Sequence, residues 1–181
     1  MKAVVVGIGS CFGDDAVGPA VARALAAGPA LPLPARVVAL ERADLALLEA
    51  LRGVELAVIV DALEADAAPG RVRRLRREEL EAQRRPTSSH ALGVAGVLAL
   101  AEALGVLPRC IEIIGIELAE CRDLDGGLSA QVSRAVPAAC DLIRELLSEA
   151  AGRQGAISTI VSGSTRSTRK SRSGSESATQ P

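Results

Sequence analysis

The sequence predicts an α/β fold in three layers, a twisted, mostly parallel five-stranded sheet with helices on both faces. Three observations carry that expectation. Lys2 to Gly7, Leu56 to Asp61 and Ile111 to Ile116 are short runs rich in Val and Ile, bounded by glycines, turns or charge. Runs of that kind are what strands buried on both faces require. Between them apolar residues recur at helical spacing, so strands and helices alternate. The chain of 181 residues suits one domain, because ~150 ordered residues bury roughly two thirds of their unfolded surface.

Taken in order, the first strand ends in Gly7-Ile8-Gly9-Ser10-Cys11-Phe12-Gly13-Asp14-Asp15. Val17, Val21 and Leu25 then mark a helix whose first turn tolerates Pro19. Ala35 to Leu40 is a further strand, and Arg71 to Leu75, with interleaved charge, suits an exposed edge. The apolar stretch from Leu92 to Leu104 reads as a helix in the core. It follows Pro86-Thr87-Ser88-Ser89, a loop whose hydroxyls can cap it, and His90, the only histidine in the chain. Val132, Val136, Ala139, Ile143 and Leu146 define a last helix after Ser129 as N-cap, with Pro137 expected to kink it. The α/β domain is therefore placed at 1–150. Residues 151–181 hold five basic residues and one acid among Ser and Thr, and are expected to form a disordered basic tail.

Composition narrows the classes. The net charge of -1 leaves the domain mildly acidic once the basic tail is set aside. Phe12 is the only aromatic residue, so bases would have no stacking platform, and no nucleic-acid partner is expected. The Arg71–Arg77 cluster is followed by Glu78, Glu79 and Glu81, and reads as a solvated strand-to-helix edge. The longest apolar run, near residues 91–101, falls short of the ~18 residues of a membrane span, so no membrane association is expected. Cys11, Cys110, Cys121 and Cys140 form no C-x-x-C pair, and the first residues lack a signal-peptide pattern. A cytoplasmic, monomeric protein is the expectation.

In a sheet of this type ligands gather beyond the carboxyl ends of the strands. The Gly9 to Asp15 loop leaves one such end and Asp61 closes another, while His90 lies on a long loop. Two carboxylates and an imidazole suit a transition metal. Taken singly, Asp14 or Asp15 is explained by helix capping, Asp61 by a satisfied structural carboxylate, and His90 by a hydrogen-bonded loop histidine. Cys11 beside the acids could be a soft ligand or reactive thiol, with a small loop residue as the default. Gly7-x-Gly9-x-x-x-Gly13, with Glu41 after the second strand, invites a dinucleotide reading. Asp14 and Asp15 oppose it, since a pyrophosphate needs the bare amides they occupy.

These residues in this order resemble the hydrogenase maturation protease family over about residues 2–147. The resemblance lies in Gly7-Ile8-Gly9-Ser10, Asp14-Asp15-Ala16-Val17-Gly18, the strand ending in Asp61, and His90-Ala91-Leu92-Gly93. Ile114-Gly115-Ile116-Glu117 and Gly127-Leu128-Ser129 complete it. Ser10 stands where Asn is usual, Leu118 where Pro is common, and Glu41-Arg42-Ala43 where Asp-Gly-Gly is frequent. The resemblance implies an endopeptidase that removes the carboxyl-terminal extension from the large-subunit precursor of a nickel-iron hydrogenase. It implies Asp15, Asp61 and His90 as catalytic residues and metal ligands, meeting the nickel already in the precursor. An aspartic dyad of Asp15 and Asp61 is the second route, since close carboxylates can share a proton and activate water. Two alternatives from other classes are a non-catalytic nickel-checking chaperone and a dinucleotide-binding enzyme.

Overall fold

The computed structural model describes residues 1–64, 68–82, 93–118 and 127–163, with side chains described as far as 80 in the second segment and 153 in the last. Five strands form one sheet: β1 (Ala3–Ile8), β2 (Ala35–Leu40), β3 (Leu56–Leu63), β4 (Val72–Leu75) and β5 (Cys110–Glu117). They lie in the order β2-β1-β3-β5-β4. All neighbours run parallel except β4, which pairs antiparallel with β5. Every residue of β1 is buried because it has a strand on each side and a helical layer on each face. β2 and β4 are edges and only partly buried, and in Val72-Arg73-Arg74-Leu75 Arg74 is exposed at the margin while Arg73 is half-buried.

Helices close both faces. α1 (Val17–Ala27) and α5 (Ala130–Gly163) cover the first face, where Val5, Val58, Val60, Ile114 and Ile116 meet Val21, Leu25, Ile143 and Leu147. α2 (Leu45–Leu51) and α4 (Gly93–Ala103) cover the second, where Val4, Val6, Ala57 and Ile59 meet Leu47, Leu51, Val97 and Leu98. α3 (Arg77–Ala82) adds Leu80 to that second core. The period of two along each strand divides its side chains between these layers. The expected three-layer architecture is thus present, with five strands as read.

Three details depart from the sequence expectation. α2 was not foreseen; Asp44 caps it by accepting from the Ala46 N–H at 2.8 Å, and its buried Leu47, Ala50 and Leu51 hold it to the sheet. β3 runs two residues past Asp61, because Ala62 and Leu63 still pair with Ile116 and Glu117. α5 holds Pro137 within it and continues to Gly163, into the segment expected to be tail. Ala150 of that helix is buried in the first core and Arg153 reaches Glu149 at 3.7 Å, so helical contacts extend beyond residue 150. Residues 164–181 lie outside the described part. Ser129 is the expected N-cap, its Oγ accepting from the Val132 N–H at 3.3 Å. No helix among the described residues is long and apolar enough to cross a membrane.

Candidate active site

The chain leaves β1 to one side to form β2, then crosses back over β1 to form β3 on the other. The connections from β1 to β2 and from β2 to β3 cover opposite faces, α1 one and α2 the other. Strand order therefore reverses between β1 and β3, and such a switch point opens a crevice beyond the strand ends. Asp15 lies on the loop that leaves β1, and Asp61 lies on β3 one register position beyond the Gly7 and Val60 pair. Topology alone brings the two acids to one crevice.

Glycines allow the loop to sit there. A Cβ on Gly7 would overlap the Gly18 carbonyl, one on Gly18 would overlap the Ile8 carbonyl, and one on Gly9 would overlap the Asp15 carbonyl. Gly9 also has φ +150°, a backbone shape that L side chains rarely adopt. β1, its loop and the start of α1 are thereby packed backbone to backbone. A short 3-10 helix, Gly13–Ala16, follows and carries Asp14 and Asp15. The Gly-rich stretch therefore has its free space filled by the protein's own carbonyls, which removes the cradle a dinucleotide would need. Glu41, the residue offered for a ribose, is exposed just past β2.

The two aspartates of the loop do different work. Asp14 Oδ1 accepts from the Ser129 N–H and so ties the loop to the start of α5. Asp15 is exposed, and its Oδ2 accepts from the Ser10 N–H at 2.6 Å, which fixes the carboxylate against the loop. Asp15 is thus bonded back to the loop that precedes the 3-10 helix, and Asp14 across to the residue that caps α5. Cys11, between them and the strand, is an exposed free thiol.

Asp61 is partly buried, on the face of β3 that also carries Ala57, Ile59 and Leu63. Loss of water is the main cause that raises its pKa from 3.8 to about 7; the Ala62 N–H, donating to Oδ1 at 2.9 Å, opposes the rise, and the negative charge of Asp15 adds to it. The two carboxyl groups are thus close enough to repel. A cation between them would relieve both the repulsion and the cost of desolvation. Since α4 ends six residues before β5 begins, it runs back toward the amino ends of the strands and starts at the carboxyl edge, on Asp61's face. His90 lies outside the described residues, three positions before Gly93, where α4 starts. Among the described residues no group of three or more His, Cys, Asp or Glu is arranged to hold a metal ion. Asp15 and Asp61 are the pair of the expected three that the structure brings together.

One polar cluster was not legible beforehand. Glu117, at the end of β5, is fully buried, and its Oε1 lies 3.3 Å from Arg73 Nη1, while Oε2 has no hydrogen-bond partner among the described residues. Arg73 also reaches Glu79 at 3.3 Å. Arg74 forms a two-pronged pair with Glu112 at 2.7 Å, and Arg77 meets Glu102 at 2.6 Å. The Arg cluster is neutralised from β5 and α4 as much as by the acids that follow it in sequence. The signal was the apolar run Ile113 to Ile116 ending in an acid, but its partner stands 44 residues away.

A family model, HycI, described as hydrogenase maturation protease, matches residues 42–146. The hydrogenase expression/formation protein HupD of Thiocapsa roseopersicina is 29% identical over 105 residues, which cover 57% of this chain and 48% of that protein. The chain therefore matches about half the length of that curated relative. HupD of Rhodobacter capsulatus is 28% identical over 149 residues, 80% of this chain and 71% of that protein. Among solved structures, the hydrogenase maturating endopeptidase HybD from E. coli superposes with a TM-score of 0.70 at 28% identity, over 83% of this chain and 94% of that one. The α/β fold is shared along nearly the whole of that neighbour.

Proposed function

The chain belongs to the hydrogenase maturation protease family, and from that premise we propose that it is an endopeptidase that cuts the carboxyl-terminal extension from the nickel-loaded large-subunit precursor of a nickel-iron hydrogenase. The observation that carries this reading is the convergence of Asp15 and Asp61 at the switch-point crevice, close enough for one charge to raise the pKa of the other. Nickel is treated as part of the substrate. Asp15, already held by the Ser10 N–H, offers its second oxygen; Asp61 offers a carboxylate once a cation compensates its desolvation; His90 offers the nitrogen. Nickel bound there would supply a Lewis acid that polarises the scissile carbonyl or activates water. Three free thiols among the described residues support a reducing compartment, the cytoplasm, for the step.

The raised pKa of Asp61 also favours a second reading. A carboxyl whose pKa is raised to about 7, close to a second carboxyl, is the arrangement in which two acids share a proton and activate water without metal. The nickel route ranks first because it gives His90 a role that the dyad leaves unused.

The test uses the purified chain and a nickel-loaded precursor, with the mass of the precursor's carboxyl terminus followed in time. The wild-type protein removes the extension, whereas Asp15→Asn, Asp61→Asn and His90→Ala each slow cleavage by about 100-fold or more while still melting cooperatively. A His90→Ala variant as active as wild type would take the imidazole out of the mechanism. Binding without any cleavage by the wild-type chain would favour the chaperone.

A further inference from the structure

Phe12 is the only aromatic residue in the chain, yet its side chain is 58% exposed. The buried residues of both cores are aliphatic, so the fold makes no use of the ring. Leu45, which opens α2, is 67% exposed. Phe12 stands on the loop leaving β1 and Leu45 follows the end of β2. Those strands are hydrogen-bonded neighbours ending in register at Ile8 and Leu40, and the Gly9 N–H continues the pairing by donating to the Leu40 carbonyl at 3.0 Å. Both side chains therefore belong to the carboxyl edge of the sheet, where Asp15 and Asp61 meet.

A single exposed apolar residue on a surface ordinarily means nothing. Here the loop is braced around it. Ser10 Oγ accepts from the Phe12 N–H at 3.3 Å, and the Ser10 N–H donates to Asp15 at 2.6 Å, so the backbone of Phe12 is fixed relative to the Asp15 carboxylate. A ring carried on a fixed backbone has only two side-chain torsions left to order on binding, which is what makes aromatic side chains effective anchors. The surrounding charge limits what can arrive. Asp14, Asp15, Glu41 and Asp44 lie on the same two loops, where Arg42 is the one cation within 9–16 and 41–44.

We propose that Phe12, together with Leu45 after the neighbouring strand, is a specificity-determining contact of the endopeptidase: it takes a bulky apolar side chain from an extended substrate segment of neutral or positive local charge lying across the crevice. This rests on the protease reading and adds to it the chemistry of the segment next to the bond that is cut. The role is to hold the segment, so its loss falls on binding more than on turnover.

The experiment compares wild-type, Phe12→Ser, Phe12→Leu and Leu45→Ser full-length chains on nickel-loaded precursor. Phe12→Ser raises KM by about tenfold with kcat within about twofold, and Phe12→Leu recovers most of the loss. Thermal midpoints stay within about 2 °C, since the side chains are exposed. Unchanged KM in both serine variants overturns the contact while leaving the protease reading intact. A wild-type chain that leaves the precursor uncut defeats the protease reading. Binding of intact precursor then decides: equal affinity of wild type and Phe12→Ser overturns the contact, and a tenfold loss upholds it.

Discussion

Asp61 shows how one side chain can be costly to the fold and kept for chemistry. Its strand supplies Val58, Ile59 and Val60, and the same burial that stabilises them penalises a carboxylate at the next position. The linkage has a definite sign. The pKa in the folded state, about 7, lies above the ordinary 3.8, so between those values the folded chain holds a proton that the unfolded chain has released. Stability is therefore full below the lower value and is lost as pH rises through the upper one. Asp61→Asn keeps the Oδ1 acceptor for the Ala62 N–H but carries no charge. At pH 8 this variant should be more stable than wild type by on the order of 2 kcal/mol, a figure discounted for the residual exposure of the group. Near pH 4 the two should coincide. Urea unfolding at both pH values measures this, and a difference independent of pH would contradict the assigned burial. His90, by contrast, was the sharpest feature in the sequence and lies outside the described residues, so its part in the site rests on its place in the sequence ahead of α4.

Among the elements, the crevice depends on how closely β1, its loop and α1 approach. Gly18 is the contact point: a methyl group there would overlap the Ile8 carbonyl and lie 2.8 Å from the Val60 carbonyl, neither of which can yield cheaply. Gly18→Ala should cost about 3 kcal/mol, whereas Gly152→Ala, in α5 with nothing within 4 Å of its added Cβ, should stabilise by about 0.5–1 kcal/mol. Paired denaturation curves test this, and a Gly18→Ala chain as stable as wild type would mean that α1 is not packed on the ends of β1 and β3. Sequence legibility followed the same division. Runs of Val and Ile announced β1, β3 and β5 because burial on both faces leaves few polar positions, here Asp61 in β3 and Glu112 and Glu117 in β5. The seven residues of α2 were too few to display a period, although Asp44 followed by Leu45-Ala46-Leu47-Leu48 held the capping signal. The end of β3 was misplaced because a charge was read as a terminus, while pairing with β5 carried the strand on to Leu63.

For the whole molecule, strand order decides where chemistry can occur. The reversal between β1 and β3 is a property of the complete sheet, yet it was partly legible, because alternating strands and helices already implied ligands beyond the strand ends. The mutual approach of Asp15 and Asp61, 46 residues apart, follows from that order. The pairing of Arg73 with Glu117 did not emerge, because no local pattern links an edge strand to a carboxylate buried at the end of its neighbour. The central claim is that the crevice reads a metal carried by the substrate. Its most direct measurement incubates the full-length chain with nickel-loaded and nickel-free large-subunit precursor under identical conditions and follows both carboxyl termini by mass. Loss of the extension from the nickel-loaded form, with the nickel-free form cut at least about 100-fold more slowly, is the predicted result. Equal cleavage of the two forms would contradict it and leave the aspartate dyad as the working chemistry.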